Sequence, residues 1–345
     1  MDASRRGVIR ERLVSSACGA DTEVMRTRSR IPLVTAACIA ALALVPAHAE
    51  GRILLGAYAD LGRFDRLTGQ NSSTRLHFPS WGQGQVWEDR DPSFLRKFGP
   101  RPMISLTMSK AGVEYITPRQ VARGRGDAHL IGLARTAARS GRKFFIRPYA
   151  EMTGHWNSYC AYNANGSRRG PAYRQRWLRQ AFRRTYIIMH GGTAAEMSAK
   201  LRALGLPGVR GDVPANPYPN MTVVWNPQGI SNPNVRGNRA RAYWPGRRYV
   251  DMVANDLYTR TGTMSWAANE ALYRAYPGKP YAIGEWGLTG VDAPMAVRRM
   301  ARFARTHRRV RLLVFFNGRP GTPWNLATKP RSLAAYRRYI VPLGR

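Results

Sequence analysis

From residue 51 onward, short apolar runs rich in β-branched and aromatic residues alternate with arginine-rich stretches in which apolar residues recur every three or four positions. Runs of the first kind suit strands buried on both faces, the second kind suits amphipathic helices, and their alternation is the pattern of parallel strands joined by crossover helices. Eight runs read as strands: ILLGAY (53–58), LHFPSW (76–81), PMISLTMS (102–109), KFFIRPY (143–149), MTVVWN (221–226), VDMVANDLY (250–258), PYAIGEW (280–286) and RLLVFFN (311–317). Helices are predicted at about 128–139, 172–189, 265–275 and 293–307, each closed or followed by Gly, Pro or a basic last turn. Eight β/α units in about 295 residues are the size of a single-domain (β/α)8 TIM barrel. A doubly wound open sheet is the alternative arrangement of the same elements. The Gly-, Pro- and Asn-rich segments 159–171 and 206–221 read as long surface loops, and no repeat, linker or low-complexity tract divides the chain after residue 50.

The first 49 residues break this pattern. Arg26, Arg28 and Arg30 precede the apolar run IPLVTAACIAALALV, and Ala47-His48-Ala49 has the small-x-small form of a signal-peptidase site. Residues 25–49 are therefore expected to be a signal peptide cleaved after Ala49, and residues 1–24 an upstream extension outside the true start. The apolar run is short for a membrane span and no second long one follows, which argues against an integral membrane protein. The expected location is the periplasm or the medium.

Composition changes the picture in one respect. The 55 Lys and Arg stand against 20 Asp and Glu, a formal net charge of +35. Residues 1–49 hold seven of the basic and four of the acidic residues, so the remainder keeps 48 against 16, or +32. Arg is spread through YRQRWLRQAFRR (173–184), VRRMARFARTHRRVR (297–311) and YRRYI (336–340). These segments read either as a solvated outer face or as a surface retained on anionic cell-envelope or extracellular polysaccharide. No nucleic-acid-binding module is recognisable. Cys18 and Cys38 fall in the expected leader, leaving Cys160 alone, so no intramolecular disulfide is expected and Cys160 reads as an inert loop or packing residue.

In a barrel of this kind functional groups collect at the C-terminal ends of the strands. Two carboxylates terminate largely apolar strands: Glu151 after the fourth and Glu285 in the seventh. Such strands face each other across the barrel mouth, so these two could supply the acid and the nucleophile that cleavage of a glycosidic bond with retention requires. Arg147 and Tyr258 are expected to hold Glu285 ionised, and the negative charge of Glu285 is expected to raise the pKa of Glu151 toward an acid's. Trp81, Trp156, Trp225, Trp244, Tyr258, Trp286 and Trp324 fall near predicted strand ends and together read as a sugar-binding platform, with core packing the alternative for each Trp alone.

The segments IRPYAEMTGHW, VVWNPQG, YWPGRRYVDMVANDLY and IGEWG, in this order and spacing, resemble glycoside hydrolase family 26, the β-mannanase-like branch of the retaining (β/α)8 glycosidases, over most of 51–345. The resemblance implies Glu151 as acid/base, Glu285 as nucleophile, Tyr258 hydrogen-bonded to the nucleophile and Trp156 stacked on a sugar near the cleavage point. It implies hydrolysis of β-1,4-mannan, mixed-linkage β-glucan or β-1,3-xylan. One departure stands out: the family usually has His before the acid/base, and this chain has Ala150. Either a group such as His155 or Asn226 supplies the missing contact, or activity is altered or lost, leaving a catalytically silent, secreted carbohydrate-binding barrel as the second reading.

The site expected from the sequence is thus Glu151 and Glu285 as catalytic pair, with Arg147, Trp156, His155, Trp81, Trp225, Asn226, Tyr258 and Trp286 binding substrate. No metal and no cofactor is expected, because the histidines show no ligand spacing with acids or cysteines. Asp251 reads as structural, and Asp256 as either structural or a substrate ligand. A monomer acting on a polysaccharide is the expected working form.

Overall fold

A computed structural model describes residues 53–79, 81, 95–96, 98–216, 220–259 and 264–344. The expected leader and upstream extension lie outside the described residues. Eight parallel strands close into a barrel: β1 (Leu54–Tyr58), β2 (Thr74–His77), β3 (Met103–Leu106), β4 (Phe144–Pro148), β5 (Met221–Trp225), β6 (Met252–Thr259), β7 (Tyr281–Leu288) and β8 (Val310–Phe316). Each pairs with the next in sequence, and β8 pairs with β1 from Leu54↔Leu312 to Tyr58↔Phe316. The open sheet is thereby excluded and the (β/α)8 barrel stands.

Helices α1 (Leu61–Thr68), α2 (Pro118–Ala122), α3 (Asp127–Arg139), α4 (Gln175–His190), α5 (Ala194–Arg202), α6 (Trp266–Ala275), α7 (Pro294–Thr306) and α8 (Pro330–Tyr339) flank it. The four helices predicted from periodicity correspond to α3, α4, α6 and α7. The others are short or announced by caps: α5 opens with a capping box in which Thr193 and Glu196 satisfy each other's backbone N–H. Between β5 and β6 the barrel pattern lapses into three 3-10 turns, Arg236–Asn238, Ala240–Tyr243 and Arg247–Tyr249. Pro227, Pro233 and Pro245 with Gly229, Gly237 and Gly246 leave no uninterrupted helical run there. The two predicted surface loops are packed in part: Tyr159, Cys160, Ala161 and Tyr162 are buried in one, and Leu206, Val209 and Val213 in the other. Their apolar residues are few, but each docks on the main core.

Strand alternation sorts the side chains into two layers. Leu54, Leu76, Met103, Phe145, Val224, Met252, Ala254, Ala282, Leu312 and Val314 fill the barrel interior. Ile104, Ile146, Trp225, Val253, Ile283 and Phe315 belong to the larger cluster between barrel and helices. On β7 the alternation is broken. Asn255 pairs with Ile283 but Asp256 with Glu285, and Leu313 with Ile283 but Phe315 with Trp286, so Gly284 is an extra residue seen from both neighbours. This bulge switches parity: Ala282 points in, and beyond Gly284 it is Glu285 that points in while Trp286 points out.

Candidate active site

The C-terminal ends of β4, β6, β7 and β8 surround a cleft of about 410 Å³, and Glu151 and Glu285 both line it. Inward parity places Arg147 and Asn226 below, at the ends of β4 and β5. The buried Arg147 guanidinium is the hub: one nitrogen donates to Glu285, another to Asp256, and Nε to Asn226 Oδ1 at 3.0 Å. Tyr258 completes the surroundings of Glu285, its hydroxyl donating to Oε2 at 2.7 Å. Gly284 permits the crowding, since a Cβ there would lie 2.2 Å from Asn226 Oδ1 and 3.0 Å from Asp256 Oδ1.

Glu151 sits in a tight turn after β4. Its φ is 54° and that of Tyr149 is 55°, left-handed values that cost a non-glycine residue roughly 1–3 kcal/mol and persist where the surroundings hold them. The restraints are visible: the Glu151 N–H donates to the Asn226 carbonyl at 2.7 Å, and the Glu151 carbonyl accepts from Gly154 N–H at 2.8 Å and from Asn157 Nδ2 at 3.0 Å. Its carboxylate meets two donors, Trp156 Nε1 on Oε2 at 2.8 Å and Gln228 Nε2 on Oε1.

Two carboxyl groups thus bond one guanidinium, and the third, Glu151, feels its charge without bonding it. Burial works against the charge on Arg147, but Asp256 and then Glu285 outweigh it and push its pKa up. Burial and then the charge of Glu285 push Glu151 up, against Arg147 and the Trp156 hydrogen bond. Asp256 is also raised, by burial first, with Arg147 opposing and Glu285 and Glu151 adding to the rise. Tyr258 is raised by burial and by Glu285, so its hydroxyl keeps its proton and remains a donor. A cluster with more carboxyls than cations, shut away from water, favours holding a proton.

Of the aromatic residues predicted as a platform, Trp156, Tyr258 and Trp324 line the cleft, and Trp156 is 51% exposed. Trp81, Trp225 and Trp286 are not there. Trp81 is buried, stacked on His129 at 5.0 Å. Trp225 and Trp286 occupy outward positions and are fully buried, Trp225 edge-on to Trp244 at 4.8 Å and Trp286 edge-on to Phe315 at 4.8 Å. Adjacent residues on a strand face opposite ways, so an inward Asn226 requires an outward Trp225. His155 stands outside the cleft lining, its ring edge-on to Trp156 at 5.5 Å, and Arg147 and Asn226 lie below the lining. Among the described residues, Trp156 and Gln228, not His155 or Asn226, donate to the Glu151 carboxylate. Sequence reading left Asp256 open between a structural and a ligand role and gave no role to Gln228 or Phe316, and all three line the cleft. Gln228 stands two residues beyond Asn226 at a strand end, and Asp256 and Tyr258 share the inward parity of Met252, so these were recoverable. Asp251 is structural, accepting from Val223 N–H at 2.8 Å and Tyr186 hydroxyl at 3.1 Å.

No family model matches the sequence. The structure is similar to Bacillus subtilis mannanase BCman, with a TM-score of 0.53 and 18% identity over 84% of this chain and 86% of that one. A GH26 β-mannanase from Bacteroides ovatus aligns with a TM-score of 0.51 and 15% identity, over 84% of this chain and 88% of that one. The chain has the fold of the family 26 glycoside hydrolases. Endoglucanase H of Acetivibrio thermocellus is 24% identical over 241 residues, 66% of this chain; the match spans 23% of that much longer enzyme. The resemblance read from four short segments therefore extends to the fold over 84% of this chain and 86% of the Bacillus subtilis one.

Proposed function

We propose that the protein is an exported endo-acting glycosidase that hydrolyses a β-linked polysaccharide, β-1,4-mannan first among the candidates, with retention of configuration. The observation that carries this reading is the placement of Glu151 and Glu285 on one cleft in contrasting surroundings. Glu285, with a buried guanidinium and a phenol donating to it, is suited to attack the anomeric carbon as a carboxylate. Glu151, raised by burial and by its neighbour's charge, is suited to give its proton to the departing glycosidic oxygen. Once the glycosyl-enzyme forms, the negative charge on Glu285 is consumed, the pKa of Glu151 falls, and Glu151 can take a proton from the incoming water. Trp156 and Trp324 offer apolar faces for sugar rings. The similarity to enzymes named mannanases supports mannan over other β-glycans.

The test is release of reducing ends from mannan, lichenan and β-1,3-xylan by residues 50–345. Glu285→Ala should abolish it, and Glu151→Gln should lower kcat by about 10²–10⁴-fold. Binding of these polymers with no release by the unsubstituted protein would overturn the catalytic reading. For export, protein recovered outside the cytoplasm should begin at Glu50-Gly51-Arg52; an N-terminus at Met1 or Met25 would contradict cleavage after Ala49.

A further inference from the structure

At the other end of the barrel lies a second, open depression, of about 650 Å³, lined by Arg183, Arg247, Arg248 and Lys279. The four cations come from three separate segments: the middle of α4, the 3-10 turn before β6 and the turn before β7. Tertiary structure, not a run of like charge, brings them together. None has a carboxylate within 4.0 Å among the described residues. The nearby Asp251 is already engaged by His190, Tyr186 and the Val223 N–H.

Arg183 and Arg247 are held against the wall of the depression. Arg183 Nε donates to the Pro245 carbonyl at 2.7 Å and its guanidinium lies over the Tyr249 ring at 5.3 Å. Arg247 lies close against Gly278, where a Cβ would stand 2.3 Å from its guanidinium nitrogen. Lys279 has its pKa lowered by burial, with the Arg247 charge adding to the effect and Asp251 opposing it. Unbalanced positive charge converging on one concave surface is stabilised by an oxyanion, which guanidinium groups bind in bidentate fashion.

We propose that this depression is a binding site for the carboxylate or sulfate-ester groups of an acidic polysaccharide, remote from the cleft. Six residues of chain run from Tyr249 in the depression to Asn255 in the cleft lining, a reach of roughly 20 Å at about 3.3 Å per residue. The site could therefore anchor the protein while the cleft stays open. Nucleic acid fits less well: Tyr249 carries Arg183 on its face and meets Tyr186 edge-on at 5.8 Å, leaving it no free platform for a base. The inference is independent of catalysis, because it reads binding alone and applies equally to a protein disabled at Glu285.

The experiment compares residues 50–345 with Arg247→Gln/Arg248→Gln and with a charge-matched control, Arg302→Gln/Arg305→Gln on the exposed face of α7. Binding to polygalacturonate, dextran sulfate and a DNA duplex is measured at about 0.15 M salt, where diffuse attraction is screened beyond about 8 Å. The depression variant should bind polygalacturonate or dextran sulfate about tenfold or more weakly, the scale of one lost charge-assisted hydrogen bond, and the control within about twofold of the parent. Which polymer responds tells carboxylate from sulfate. Equal loss in both variants, no binding at this salt, or loss confined to DNA would each overturn the proposal. All four exchanged arginines are exposed, and matching far-ultraviolet circular dichroism would exclude unfolding as the cause.

Discussion

Glu151 accepts from Trp156 and Gln228 at once, and both donors favour its ionised form. If Glu151 is the acid, it works only while protonated, so activity should fall as pH rises through its raised pKa. Removing either donor destabilises the carboxylate and raises that pKa further. Trp156→Phe and Gln228→Leu should each shift the alkaline limb of kcat upward by about one pH unit, since a hydrogen bond is worth roughly 1 kcal/mol and one pKa unit 1.36 kcal/mol. Trp156→Phe keeps an aromatic face, so KM should change less than the profile does. A stationary alkaline limb would mean that Glu151 is not the titrating acid. Glu151 and Glu285 were legible as lone carboxylates ending apolar strands. The Gln228 contact was not legible, because Gln228 reaches Glu151 only through the pairing of β4 with β5.

At the scale of the element, the bulge at Gly284 decides which side chains of β7 face the cleft. Without the extra residue, strict alternation after the inward Ala282 would turn Trp286 into the barrel and Glu285 against the helices. Gly284→Ala would drive a methyl group into Asn226 and Asp256, beside Arg147. It should destabilise the protein by about 1–3 kcal/mol, the range for an overpacked core, and lower activity more than stability by displacing Glu285. Urea unfolding and kcat measured together check both. Unchanged values in both would mean that β7 tolerates a regular register. Strand positions were read well from apolar runs, whereas the facing of Trp225 and Trp286 was not, because a strand end rich in aromatics says nothing about parity until one residue is anchored.

At the scale of the whole molecule, the excess of 48 basic over 16 acidic residues in 50–345 opposes compactness through self-repulsion. Added salt screens it. The Tm of residues 50–345 should therefore rise between about 0.01 and 0.3 M sodium chloride, by about 2–4 °C for each kcal/mol of repulsion relieved. A Tm that falls with salt would mean that attractive pairs, such as the buried Arg184–Asp127 bridge between α4 and α3, dominate the balance instead. The basic depression would contribute to the rise, and an oxyanion bound there should raise Tm further at equal ionic strength.

Hydrophobic periodicity determined the number of strands and their sequence along the chain, because burial on both faces leaves a continuous apolar run that needs no partner to be recognised, whereas closure into a barrel rather than an open sheet was decided by the pairing of β8 with β1. Sequence likewise marked the two carboxylates, whose ionisable groups are conspicuous at the ends of such runs. Only the folded chain decided that Arg147 bonds Glu285 and Asp256 from beneath, that Gln228 donates to Glu151, and that three distant segments gather four cations at the far end. Those arrangements depend on strand parity, one inserted glycine and contacts between residues far apart along the chain, and local pattern carries no record of any of them.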